Sequence, residues 1–288
     1  MGRRCLDLPA IVKAGKLRAG SASSRGHVRN AAFAILLALP SMAAGSAKAD
    51  QLVADYTAYW AGLPAAQIRL KLSNATAAYR DEIEIRTEGL PHLVTHFRAV
   101  AKAGGRLVPE GGAEPSRYSA LYDLRKYRDR RIGMQFVSRD AAVIAERTPD
   151  DTSRKPALAE KYRRDIVDPL TALERMRAAV AARKAAGDTV FVVPVYDGTR
   201  RFDIVGHILP KSEQAAGTLR VALNLRPIAG FKGETSDDGD PDNAPRPVAL
   251  TLTDDARLLP ISVSVRVFYL PLVIQLDRVC ADAKACPG

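Results

Sequence analysis

A chain of 288 residues with 43 Lys+Arg against 32 Asp+Glu has, taken whole, the balance of a protein that meets nucleic acid or an anionic membrane. Eight of the basic residues (Arg3, Arg4, Lys13, Lys16, Arg18, Arg25, Arg29, Lys48) and one acid, Asp7, fall in the first 49 residues, and without that segment the balance is 35 against 31, a net charge of +4. That is an ordinary surface charge, and it removes the compositional case for a nucleic-acid partner.

The leader reads as a secretory signal peptide. A basic segment precedes the apolar run Ala31 to Ala44, and the small-residue site Ala47-Lys48-Ala49 stands before Asp50. The run is too short for a comfortable permanent span of a bilayer. Residues 1–49 are therefore expected to be removed after Ala49, leaving 50–288 as a single β-rich domain in the periplasm. The leader is long for such a signal, which leaves two readings open: a start codon further downstream, or a twin-arginine signal at Arg3-Arg4. Arg4 stands 27 residues before the apolar run, which weighs against the second. No Cys occupies the cleavage point, so a lipid-anchored form is not indicated. No second apolar run of about 20 residues follows, so the exported chain is expected to be soluble rather than integral to a membrane.

Along the exported chain the first signal has period two. In Tyr79 to Gly89, Tyr79, Ile83 and Ile85 fall on one face while Arg80, Glu82, Glu84 and Arg86 fall on the other, as in an antiparallel strand with one wet face. Similar runs cover residues 56–61, 67–73, 95–103, 106–108, 117–122, 133–138 and 141–146, with Gly104-Gly105 and Gly111-Gly112 as breaks. Asp168 to Gly187 changes the period and predicts a helix. Asp168 is placed as N-cap, Pro169 at the first helical position, Gly187 just past the end, and Arg183 and Lys184 near the negative pole. Leu170, Leu173, Met176 or Arg177, and Val180 form its apolar stripe.

Asp197-Gly198 then signals a two-residue type I′ hairpin, and Pro194 makes its first arm an edge or bulged strand. Further strands are expected over 218–226, 248–253, 258–270 and 272–279, with a polar loop over 234–247. Strands, one prominent helix and more strands, without βαβ alternation, predict a mainly β (α+β) fold: a large curved antiparallel sheet or open β-barrel with the helix packed against its concave side.

Cys5 lies in the leader, so Cys280 and Cys286 are the only cysteines of the exported chain. In an oxidising compartment such a pair is most simply a disulfide closing a small C-terminal loop. Two thiolates with no nearby His are too few for a metal.

Several stretches together, Tyr59-Trp60-Ala61-Gly62, Asp168 to Leu173, Pro194 to Phe202 and Leu259-Pro260-Ile261, resemble the exported bacterial family known as domain of unknown function 3108. The resemblance would cover most of the exported chain. It implies export and a β-rich fold, and it carries no established catalytic residues to transfer; no cofactor or metal is expected from the residues themselves.

The residues that could carry chemistry each have a plainer reading. Asp203 and His207 share a strand face with Arg201 beside them and could act as acid and base, although a wet face needs charges anyway and no nucleophile elbow is present. His92 and His96 have helical metal-ligand spacing, but the Glu of H-E-x-x-H is absent and they read as surface histidines. Asp238, Asp240 and Asp242 have the start of a calcium loop whose positions six and twelve, Asn243 and Ala249, fail it. The basic run Leu124 to Arg131 could meet phosphates, or be a charged hairpin tip. The apolar strand Val265 to Leu276 could be core, or line a cavity for an apolar ligand.

Three functions stay open at this point. The first is a non-catalytic protein that holds an apolar or amphiphilic envelope molecule, with Trp60, Phe268, Tyr269 and Arg201 nominated for its site. The second is an assembly factor that docks an envelope protein at a sheet edge near Pro194. The third, the weakest, is an envelope-polymer hydrolase built on Asp203 and His207.

Overall fold

The computed structural model describes residues 50–108, 112–124, 127–138, 141–148, 157–231, 244–267 and 269–281. The period-two runs become thirteen strands: β1 (Asp50–Trp60), β2 (Leu63–Ala75), β3 (Ala78–Thr87), β4 (Arg98–Val108), β5 (Gly112–Leu124), β6 (Tyr127–Ser138), β7 (Ala141–Thr148), β8 (Val190–Tyr196), β9 (Arg201–Ile208), β10 (Thr218–Ala229), β11 (Arg246–Thr253), β12 (Pro260–Val267) and β13 (Leu270–Cys280). All belong to one antiparallel sheet in the order β7-β6-β5-β4-β3-β2-β1-β13-β12-β11-β10-β9-β8. Strands that pair in the sheet are consecutive in sequence except at one seam, where β1 pairs with β13 from Val53–Cys280 to Trp60–Leu272.

The sheet is not closed, because β7 and β8 are its two edges. The chain between them bridges the gap. The Ala142 amide donates to the Arg163 carbonyl (3.0 Å), the Val167 amide to the Pro194 carbonyl (3.0 Å), and the Tyr196 amide to the Val167 carbonyl (2.9 Å). Both edges therefore receive backbone partners from one connector, which satisfies groups that an open sheet would leave bare. Pro194, read as a mark of an edge strand, lies in the edge strand β8.

Among the described residues two α-helices interrupt the strands, α1 (Gly89–Thr95) and α2 (Thr171–Ala186). Asp168 caps α2 from one turn further out than its first residue. Its Oδ1 accepts the Leu170 and Thr171 amides at 3.0 and 2.9 Å, and its Oδ2 accepts the Thr171 hydroxyl at 2.5 Å. Gly187 ends the helix with φ 72°, the left-handed conformation that a residue without Cβ adopts freely. One side of α2, Ala172, Met176 and Val180, packs with Phe191, Val193, Leu219, Val221 and Leu250 of β8 to β11. The other reaches the first half of the sheet, where Thr171 bonds the Tyr79 hydroxyl (2.7 Å) and Arg175 donates to the Ala113 carbonyl (2.9 Å). The sheet thus wraps around the helix.

Three local expectations change. The connection at Asp197-Gly198 has four residues, 197–200, because Tyr196 pairs with Arg201. Asp197 organises it by accepting the Thr199 and Arg200 amides at 2.8 and 2.7 Å. The two-residue turn with two positive φ values lies instead at Ala61 (50°) and Gly62 (83°), between β1 and β2. Gly104-Gly105 is no break but a register shift within β4, where a Cβ on Gly105 would stand 2.0 Å from the Glu114 carbonyl oxygen. Val265 to Leu276 is not one strand: it turns back between β12 and β13, with Tyr269 at φ 66°.

Candidate functional site

The helix-facing side of β3, β4 and β5 carries large residues at its margins and small ones between. Ile83 and Ile85 stand on β3, Ala99 and Ala101 on β4, Ala120 and Tyr122 on β5. Because α2 begins only at Thr171, it does not cover them all, and Pro169, Leu170 and the 197–200 turn form the opposite wall of an open cleft of about 520 Å³. That volume suits a small ligand or one acyl-chain segment. The wall is apolar and its rim polar, with Asp197, Thr199 and Arg200 at the mouth. The Arg200 guanidinium lies 5.4 Å from the Phe231 ring centroid, which keeps a cation beside the opening.

Beside the cleft, the same face holds a buried polar layer. Asp81, on the Tyr79–Ile83 side of β3, is 2% exposed, and neither carboxylate oxygen has a hydrogen-bond partner. Burial, then the nearby Glu174 carboxylate, pushes its pKa up to about 8, against a weaker pull from the Ser73 amide and Arg177. Glu174 pairs with Arg177 at 2.7 Å. Asp168 is fully buried, and its pKa is raised to about 6 by burial although Thr171 and the Leu170 amide oppose the shift. The Tyr56 hydroxyl and the Asn74 Oδ1 are also buried without hydrogen-bond partners. Period-two counting from Tyr79 puts Asp81 on the apolar face, so the sequence carried the signal; the surrounding charged residues masked it.

The residues nominated from sequence do not converge on this cleft. Trp60 ends β1 and donates its indole N–H to the Val267 carbonyl at 3.4 Å, bracing the β12–β13 hairpin. Tyr269 is 93% exposed at the tip of that hairpin, while Phe268 lies outside the described residues. Arg201 and Asp203 form an ion pair at 2.5 Å, and Arg226 adds a second at 2.7 Å. Burial alone would raise the Asp203 pKa, but hydrogen bonds from Arg226 and Arg201 hold it below the usual carboxylate value. His207 is exposed four residues further along β9, about 13 Å away at strand rise. The proposed acid–base pair is therefore not assembled: Asp203 neutralises two arginines.

His92 in α1 and His96 at its end stack with ring centroids 4.5 Å apart, and among the described residues no group of three or more metal-ligating side chains occurs. The sheet edge near Pro194, considered for a partner, is already paired with Val167. Cys280 ends β13, while Cys286, the leader, the 238–242 aspartates, and Arg125 and Lys126 of the basic run lie outside the described residues. Among the described residues, no helix is long and apolar enough to cross a membrane.

A family profile described as "Protein of unknown function (DUF3108)" matches residues 55–276. No curated protein sequence matches the chain. Among solved structures, a crystal structure of a beta-barrel-like protein of domain of unknown function DUF1849 from Brucella abortus aligns with a TM-score of 0.49 at 10% identity, covering 80% of this chain and 96% of that one.

Proposed function

The chain belongs to this family of unknown function, and from that premise we propose that it is an exported, non-catalytic protein that holds an apolar or amphiphilic molecule of the cell envelope. The observation that carries the reading is the apolar cleft between the β3–β5 face and Leu170, open at one end beside Arg200. An acyl chain would lie against Ile83, Ile85 and Ala101, displacing poorly held water, while a polar head stays at the rim near Arg200 and Thr199. The single domain 50–288 acts in the periplasm after cleavage behind Ala49, and Cys280 and Cys286 close a C-terminal disulfide in that oxidising compartment.

Native mass spectrometry of the full-length gene product, purified gently from the periplasm, tests the reading. The expected protein begins at Asp50, is two hydrogens lighter than its reduced form, and carries an amphiphile that organic solvent releases. Ala101→Trp fills the cleft and should lose that load while keeping a cooperative melt. A ligand-free wild-type mass, or an undiminished load on Ala101→Trp, would remove the carrier reading.

A further inference from the structure

We propose that the opposite face of the sheet carries a phosphate-binding site in which Arg80 of β3 and Arg117 of β5 grip one phosphoryl group across Gly104 of β4. The site is independent of the apolar cleft, since it uses side chains that point away from the helix.

Register places these residues in one row. Gln51 pairs with Ser73, Ser73 with Arg80, Arg80 with Gly104, Gly104 with Arg117, and Arg117 with Gln135. The neighbouring row is an ion-pair ladder in which Lys71 reaches Glu82 and Glu84 (2.8 and 3.1 Å) and Lys102 reaches Glu82 (2.9 Å). Glu114, on the same strand as Arg117, is held by Arg106 at 2.6 Å. Arg80 and Arg117 share in none of this. Both are exposed, and neither has a hydrogen-bond or ion-pair partner among the described residues. Two like charges facing each other across a sheet repel, and an anion between them would remove that repulsion.

Gly104 supplies the room. Its neighbour Gly105 is demanded by the backbone, whereas a Cβ on Gly104 would meet the Tyr79 carbonyl oxygen at 3.4 Å, Arg80 Cγ at 3.8 Å and Arg117 Nε at 3.9 Å, all ordinary contacts. Its φ is not in the left-handed region. Neither turn nor clash requires glycine there, and a side chain would occupy the space between the two guanidinium groups. Residues two strands apart are separated by about 10 Å at Cα, a span that two arginines close onto one tetrahedral anion. The Ser73 hydroxyl and Gln135 amide flank them, and the groove measures about 590 Å³. Four cations line it, Lys71, Arg80, Lys102 and Arg117, against one outward carboxylate, Glu82; Asp81 also borders it, but its buried carboxyl holds its proton to about pH 8. The donors outnumber what a carboxylate ligand could accept and match the three terminal oxygens of a phosphoryl group.

Isothermal titration with inorganic phosphate, and flotation with phosphatidylglycerol vesicles diluted in phosphatidylcholine, test the site on the periplasmic protein. Phosphate binding without flotation identifies a soluble phosphate compound as the natural source, and flotation with or without phosphate binding identifies a lipid headgroup. In either case Arg80→Gln and Arg117→Gln should each weaken binding about tenfold, and Gly104→Leu, which leaves every charge in place, should do the same. Thermal melts confirm that each variant folds; should an arginine variant not fold, Gly104→Leu carries the test. Absence of binding in both assays, or wild-type binding by Gly104→Leu, overturns the proposal.

Discussion

Asp81 ionises in the unfolded chain near 3.8 and in the folded one near 8, so between those values the folded state binds the extra proton. Its contribution is fully present below about pH 4, is lost as pH rises toward 8, and stays lost above that. Asp168 has the same sign over a narrower window, up to about 6. Asp81→Asn keeps the shape and removes the titration. We expect it to be more stable than the parent at pH 8 by several kcal/mol, because there the parent must hold its proton or ionise a buried carboxyl that Asn lacks, with little difference at pH 4. Urea melts across that range check it, and parallel pH profiles for the two proteins would refute the assignment of Asp81 as the source of the slope.

At the level of strands, Phe191 of β8 lies directly over Gly206 of β9, its cross-strand partner. A Cβ at Gly206 would come within 2.1 Å of the ring. Gly206→Ala should therefore lower the urea midpoint by an amount equivalent to about 1–3 kcal/mol, an overpacking cost, and Phe191→Leu in the same chain should recover part of it because the two sites couple. A double variant no better than the sum of the singles would show that the ring is not what the methyl meets. Elements of this kind were legible in the sequence to different depths. Period two located nearly every strand, since burial on one face leaves its mark residue by residue, and Asp168 and Gly187 bracketed α2 because caps are local chemistry. The β1–β13 seam, the connector that bridges the edges, and the choice of Ala61-Gly62 over Asp197-Gly198 for the tight turn left no such mark, as each depends on residues far apart in the chain. The cleft was illegible for the same reason: Ala101 and Leu170 become neighbours only once the sheet has wrapped around the helix, whereas Tyr269 looked like lining and proved to be a hairpin tip.

For the molecule as a whole, the spatial order of the strands is a cyclic shift of their order in sequence, cut between β7 and β8. A circular permutant that starts at Leu158, runs to Gly288, continues through a short Gly/Ser linker to Asp50 and ends at Thr148 would make every strand adjacent in sequence to its partner in the sheet. Lower contact order speeds folding, so the permutant should refold several-fold faster than the parent while keeping a similar melting temperature. Equal refolding rates in stopped-flow fluorescence would show that the seam does not limit folding.

In the natural order, the seam also sets a timetable. Arg278 bonds Asp55 across 223 positions of chain, at 2.7 Å. At ribosomal speeds of about 5–20 residues per second, β1 is made roughly ten to forty seconds before β13, and in any compartment β1 cannot complete its pairing until β13 is present. Wherever the chain folds, a copy that forms the first half of the sheet before β13 arrives offers the β1 edge to any other strand, and that strand competes for the place of β13.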